Sequence, residues 1–140
     1  MGDYLIKENE TAILYLHGNA ETRAHYHRKA LYELFQTMGY HVLAIDYRGY
    51  GDSSKVVPNQ TSMVEDAQTA FDWLQKYSHP STSIFIWGHS LGTGVASKLT
   101  HELTHPKGIE LYIITFKIIA YQILNSIYFS NLQSISVYIK

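Results

Sequence analysis

The stretch Ser83-Ile84-Phe85-Ile86-Trp87-Gly88-His89-Ser90-Leu91-Gly92-Thr93-Gly94-Val95-Ala96 decides the reading of this chain. Ile84 to Trp87 is a short, continuous apolar run, as expected of a strand covered on both faces. From Gly92 onward Val95, Ala96, Leu99 and Leu103 recur at helical spacing. Between them Gly88-His89-Ser90-Leu91-Gly92 has to turn sharply from strand to helix. Such a turn lifts the serine out of the sheet and aims its hydroxyl at solvent. Glycines flank it because a Cβ would clash where the backbone is crowded, and Gly94 is expected to let the helix approach the strand closely. Gly-x-Ser-x-Gly alone is a weak signal. Placed between a buried strand and a helix, it reads as a nucleophile elbow.

The same alternation extends towards the N-terminus. Ala12-Ile13-Leu14-Tyr15-Leu16 and His41-Val42-Leu43-Ala44-Ile45 are two more buried-strand runs. A helix is predicted over Arg23 to Met38, with Leu31, Leu34, Phe35 and Met38 as its apolar stripe and Gly39 as its stop. Ser62-Met63-Val64-Glu65 reads as a capping box, followed by the stripe Val64, Ala67, Phe71 and Leu74, with His79-Pro80 ending that helix. Gly108-Ile109-Glu110-Leu111-Tyr112-Ile113-Ile114 is expected to start a fourth strand. Strands and helices that alternate in this way imply an α/β fold with a parallel sheet and helices on both faces.

With 140 residues the chain holds one domain at most. A net charge of −1, with no basic block, excludes a nucleic-acid partner by any electrostatic argument. The absence of cysteine excludes disulfides, thiolate metal sites and a cysteine nucleophile, and leaves the compartment open. Met1-Gly2-Asp3-Tyr4-Leu5-Ile6 is neither a signal peptide nor a myristoylation signal, so a soluble start is expected. Past Glu110 the vocabulary changes: residues 111–140 contain no Gly, Pro, Asp, Glu, Arg or His. We therefore divide the chain into residues 1–110, an incomplete domain, and 111–140, an apolar tail of read-through or alternative-exon origin. A membrane segment over Ile109 to Phe129 is the rival reading, opposed by Lys117 at ~3 kcal/mol near a bilayer centre.

Two further motifs accompany the elbow. The first strand runs into Leu16-His17-Gly18-Asn19-Ala20, and the second into Asp46-Tyr47-Arg48-Gly49-Tyr50-Gly51-Asp52-Ser53. His17 reads as a structural hydrogen-bonder, and an Asp46–Arg48 ion pair is expected to fix the later loop. Leu14 to Ala20, Asp46 to Ser53 and Trp87 to Ala96, in that order and spacing, resemble the α/β-hydrolase superfamily. Within it they resemble serine lipases of the lysophosphatidylserine and monoacylglycerol type. The resemblance covers about residues 11–110.

That resemblance implies a partial α/β-hydrolase fold with a central parallel sheet of about four strands, ordered His41 strand, Ala12 strand, Ser83 strand, Ile109 strand. It implies Ser90 as nucleophile, with the backbone amides of Asn19 and Leu91 as oxyanion donors, a lipid ester as substrate and no cofactor. In this fold a triad acid and histidine follow the serine. Here only Glu102 and His105 have that order, and they lie on the helix that opens at the serine, about 18–22 Å away at 1.5 Å per residue. A general base works within about 3 Å, so the chain is expected to lack both triad partners and to be inactive. His25 and His27 are too few for a metal site, and none is predicted. Open sheet edges imply marginal stability and a chaperone or protein partner. The family points to the endoplasmic reticulum membrane, and the lack of its N-terminal anchor points to the cytoplasm.

Overall fold

The computed structural model describes residues 4–104 and the backbone of residues 112–116. Its elements alternate as predicted: β1 (Thr11–Leu16), α1 (Tyr26–Thr37), β2 (Tyr40–Ile45), α2 (Gln60–Tyr77), β3 (Ser83–His89), α3 (Leu91–Thr104) and β4 (Tyr112–Phe116). The four strands form one sheet in the order β2-β1-β3-β4, every pair parallel. β1 is central and buried along its length from Ala12 to Leu16, which is why its run is apolar without alternation. Its register sets Leu14 between Leu43 and Ile86, so one face of the sheet carries a continuous aliphatic row.

That row meets α2 and α3. Val64, Ala67, Phe71 and Leu74 of α2 pack with Val95, Ala96, Leu99 and Leu103 of α3 against Ala12, Leu14, Leu16 and Ile86. Both helical stripes are those expected from the sequence. Among the described residues the opposite face is more thinly clad. There α1 touches the sheet through two edge-on aromatic pairs, Tyr32 on Tyr15 and Phe35 on Trp87. Leu34 and Met38, expected to be buried, are 55% and 57% exposed because they lie on the outer side of the helix.

Three local expectations are corrected. α1 starts at Tyr26 rather than Arg23, with His25 at its N-cap making no side-chain cap bond. Ser62 is not an N-cap but the N3 partner of Asn59, whose side chain accepts from the Ser62 amide at 2.9 Å while Ser62 Oγ accepts from the Asn59 amide at 3.0 Å. Gly94 has open space where a Cβ would be, so it does not bring α3 towards the sheet. Gly39 ends α1 with φ +81°, as a C-terminal glycine should. No helix among the described residues is long and apolar enough to cross a membrane. Most of Ile109 to Phe129, and of the tail beyond, lies outside the described residues.

Candidate active site

β3 ends at His89 and α3 begins at Leu91, which leaves Ser90 alone at the junction. Its φ of +52° is left-handed, a conformation that strains a residue bearing a Cβ and survives only where the surroundings fix it. The surroundings here are two glycines. A Cβ on Gly88 would overlap the Gly92 carbonyl, and one on Gly92 would overlap the Leu16 carbonyl. The Ser90 carbonyl accepts from the Thr93 amide at 2.9 Å and the Thr93 hydroxyl at 2.7 Å, closing the first turn of α3. Leu91 is the first residue of that helix, so its amide has no intrahelical acceptor. It stands at the positive end of the helix dipole, the polarity that favours a developing alkoxide.

The loop leaving β1 lies against this turn. A Cβ on Gly18 would sit 3.2 Å from Ser90 Cβ and 3.3 Å from the His89 carbonyl, so any side chain there would press on the turn. The loop is tied down from several sides. Tyr47 donates its hydroxyl to the His17 carbonyl at 3.2 Å, and Tyr50 donates to Asn19 Oδ1 at 2.7 Å. The fully buried His17 ring donates from Nδ1 to the Gly18 carbonyl at 2.6 Å and packs against both Tyr47 and Tyr50. Its Nε2 stands 3.4 Å from Asp46 Oδ1, near enough to feel the charge and too far for a hydrogen bond. Burial holds this imidazole below the ordinary histidine value, although the Gly18 carbonyl and the Asp46 carboxylate pull it up.

The expected Asp46–Arg48 pair does not form. Asp46, whose side chain is 3% exposed, accepts from Arg23 at both the backbone amide (2.5 Å) and Nη1 (2.7 Å). Arg23 also forks onto Asp52, at 2.7 and 3.0 Å. Arg48 turns the other way, onto Asp66 and Glu65 of α2. One carboxylate therefore anchors the loop after β1 to the loop after β2, and the other anchors the latter to a helix. The sequence reading also missed Arg28, which hydrogen-bonds the Ala20 and Thr22 carbonyls. The signal for it was faint: a basic residue where a helix's first turn favours acids.

The other histidines take up separate places. His25 Nε2 lies 2.9 Å from Glu21 Oε1, and its ring is 5.0 Å from that of His27. His89 turns its Nδ1 inward, buried and without a hydrogen-bond partner, and burial lowers its pKa with help from the charge on Arg28. None of the hydrogen bonds of the described residues joins a ring nitrogen to Ser90 Oγ. Glu102 is exposed near the far end of α3, and His105 lies outside the described residues. Among the described residues no three His, Asp or Glu side chains are grouped to hold a metal.

A parallel sheet whose third strand in sequence ends in a left-handed serine, backed by the loop from its central strand, has the architecture of an α/β hydrolase. The family model described as serine aminopeptidase, S33, matches residues 7–122, and the chain belongs to this hydrolytic α/β-hydrolase family. It is 48% identical over 98 residues to the lysophosphatidylserine lipase ABHD12 of Mus musculus, covering 70% of this chain and 24% of that protein. Against the Xenopus tropicalis protein of the same name it is 52% identical over 91 residues, covering 65% and 23%. The Pyrococcus furiosus esterase Pf2001 superposes with a TM-score of 0.58 at 28% identity, over 73% of this chain and 40% of the esterase. The chain thus spans about a quarter of the length of the curated relatives it matches.

Proposed function

We propose that the chain carries the nucleophile and oxyanion elements of a serine hydrolase that cleaves lipid acyl esters, of the lysophospholipid or monoacylglycerol kind. The observation that carries this reading is Ser90 at φ +52°, seated between β3 and α3 against the loop that leaves β1. The names of the relatives, lysophosphatidylserine lipases, support the lysophospholipid part of that class. In the proposed reaction Ser90 Oγ adds to the acyl carbon, and its proton passes to a base. The carbonyl oxygen takes up negative charge between the amides of Asn19 and Leu91, which hold it most strongly as that charge develops. Collapse of the adduct expels the glycerol-side oxygen, which leaves as an alcohol with a proton, and the acyl group stays on Ser90. Water then adds to the acyl-enzyme and frees the fatty acid and the serine hydroxyl.

Among the described residues the base is the missing part. Without an imidazole beside it, Ser90 has the nucleophilicity of an ordinary alcohol. Oxyanion donors and binding alone leave ~10³–10⁴-fold over water in related triad enzymes. We therefore propose that these residues by themselves do not turn over ester substrates. A second reading, a non-catalytic module that docks through its sheet edges, is favoured by β2. Among the described residues that strand pairs with β1 alone, and it keeps Val42 to Ile45 half-buried beside its other side.

Fluorophosphonate labelling of the purified chain tests the nucleophile and the inactivity. Slow labelling that disappears in Ser90→Ala, with no fatty acid released from lysophosphatidylserine or monoacylglycerol, supports the proposal. Labelling at the rate of an intact serine hydrolase refutes the inactivity. Labelling that does not depend on Ser90 refutes the nucleophile.

A further inference from the structure

We infer that Arg28 is a positioning residue of the oxyanion loop, its guanidinium bridging the Ala20 and Thr22 carbonyls so as to set where the Asn19 amide points. Arg28 sits in the first turn of α1 and is only 8% exposed. Nη1 donates to the Thr22 carbonyl at 2.5 Å and Nη2 to the Ala20 carbonyl at 2.6 Å. Arg23 and Arg48 each engage two carboxylates, but among the described residues no carboxylate pairs with Arg28. No acid shares its helical turn either. A buried cation at the positive end of a helix is opposed by desolvation and by the dipole. What it gains here is a fork across two carbonyls.

The residue between those carbonyls explains the need. Glu21 has φ +66°, a left-handed conformation in a residue that bears a side chain. Strain of this kind persists only where neighbouring contacts over-determine it. The Arg28 fork closes over that turn from the inside. On the other side of Asn19, Gly18 is held against the elbow. The Asn19 amide is therefore suspended between a fixed contact at Gly18 and a clamp at Ala20 and Thr22, and Tyr50 secures its side chain separately. A planar fork spans both acceptors with two donors in fixed geometry, whereas a lysine presents all three of its donors from a single nitrogen and lacks that span.

The catalytic consequence rests on the serine-hydrolase reading, and the test separates the two. The wild-type chain, Arg28→Lys, Arg28→Gln and the exposed control Lys29→Gln are compared by amide hydrogen exchange and by the rate of fluorophosphonate labelling. In the labelling step Ser90 Oγ displaces fluoride from phosphorus, and the hydroxyl proton passes to buffer. The phosphoryl oxygen then rests where the oxyanion would. Both Arg28 variants are expected to raise exchange at Ala20 to Arg23 at least tenfold while Leu31 to Thr37 stay protected. They are also expected to slow Ser90 labelling at least tenfold at an unchanged half-saturating probe concentration. Lys29→Gln is expected to change neither.

Arg28→Lys behaving as wild type would overturn the bridging role. Exchange rising equally across the whole chain would reduce Arg28 to a general stabiliser and overturn it too, as would a loosened loop with undiminished labelling. If wild-type labelling does not exceed that of Ser90→Ala, the hydrolase reading fails, and the exchange measurements alone decide the clamp.

Discussion

Gly92 lies directly beneath the Leu16 carbonyl, where the end of β1 and the start of α3 share one point of contact. Its missing side chain is the gap through which the two backbones meet. A Cβ there would overlap the Leu16 oxygen and stand 2.8 Å from that of His17. Both obstacles are main-chain atoms, one at the end of β1 and one in the loop that leaves it, so neither can swing aside. The elbow and the oxyanion loop are therefore a single joint, and the position of Ser90 depends on it.

Two alanine substitutions two residues apart should accordingly have opposite signs. Gly92→Ala is expected to destabilise the chain by about 3 kcal/mol, at the upper end of overpacking costs. Gly94→Ala meets nothing within 4 Å and removes a flexible residue from a helix, so it should stabilise by about 0.5–1 kcal/mol. Urea unfolding of the two variants measures both. A neutral Gly92→Ala would mean the joint is looser than described.

The two ion-pair systems should also differ. Asp46→Asn weakens charge-assisted bonds to the Arg23 amide and guanidinium at a nearly buried site, and should cost about 2 kcal/mol. Asp66→Asn acts on a carboxylate that is 21% exposed, against 3% for Asp46, and should cost about 1 kcal/mol or less. Equal losses in parallel urea titrations would contradict this ranking.

Asn59→Ala should lower stability by about 1 kcal/mol, because the Ser62 amide loses its acceptor and the capping box opens. Ser62→Ala leaves the Asn59 acceptor in place and should cost less. Circular dichroism alongside urea unfolding would register both.

Acid should weaken the fold before its carboxylates titrate. Burial depresses His17 and His89, so below about pH 6.5 the unfolded chain takes up protons on them that the folded chain refuses. The stability these two neutral rings contribute is complete above the unfolded value. It drains away as pH falls through that value to their folded values. The urea midpoint is thus expected to decline from about pH 7 towards pH 5, and less steeply in His17→Gln and His89→Gln. A decline equally steep in both variants would rule these rings out.

The parts of the fold that were legible in the sequence are those written as local patterns. The runs from Ala12, His41 and Ser83 became strands because nothing but a covered parallel sheet suits so many consecutive apolar residues. The α2 and α3 stripes fall on the buried faces they predict. The turn at Ser90 was legible for the same reason, since glycine spacing and strand-to-helix context lie within one short segment. What escaped was set by distant partners. Nothing near Arg48 in sequence says that its carboxylate is Asp66, or that Asp46 belongs to Arg23. The start of α1 was misplaced because Arg23 resembles a helix former yet is drawn off to bind two aspartates. Leu34 and Met38 keep the helical period, but it carries them to the outer side of α1. Asn59 was overlooked as a cap because its partner at N3 is a serine rather than the usual acid.

The unequal clothing of the two faces of the sheet has a practical consequence. β1, α2 and α3 form a slab that buries its own aliphatic row, whereas α1 rests on the other side through two aromatic edges. A protease should therefore find its first foothold along the α1 flank. The slab bearing Ser90 should outlast that nick.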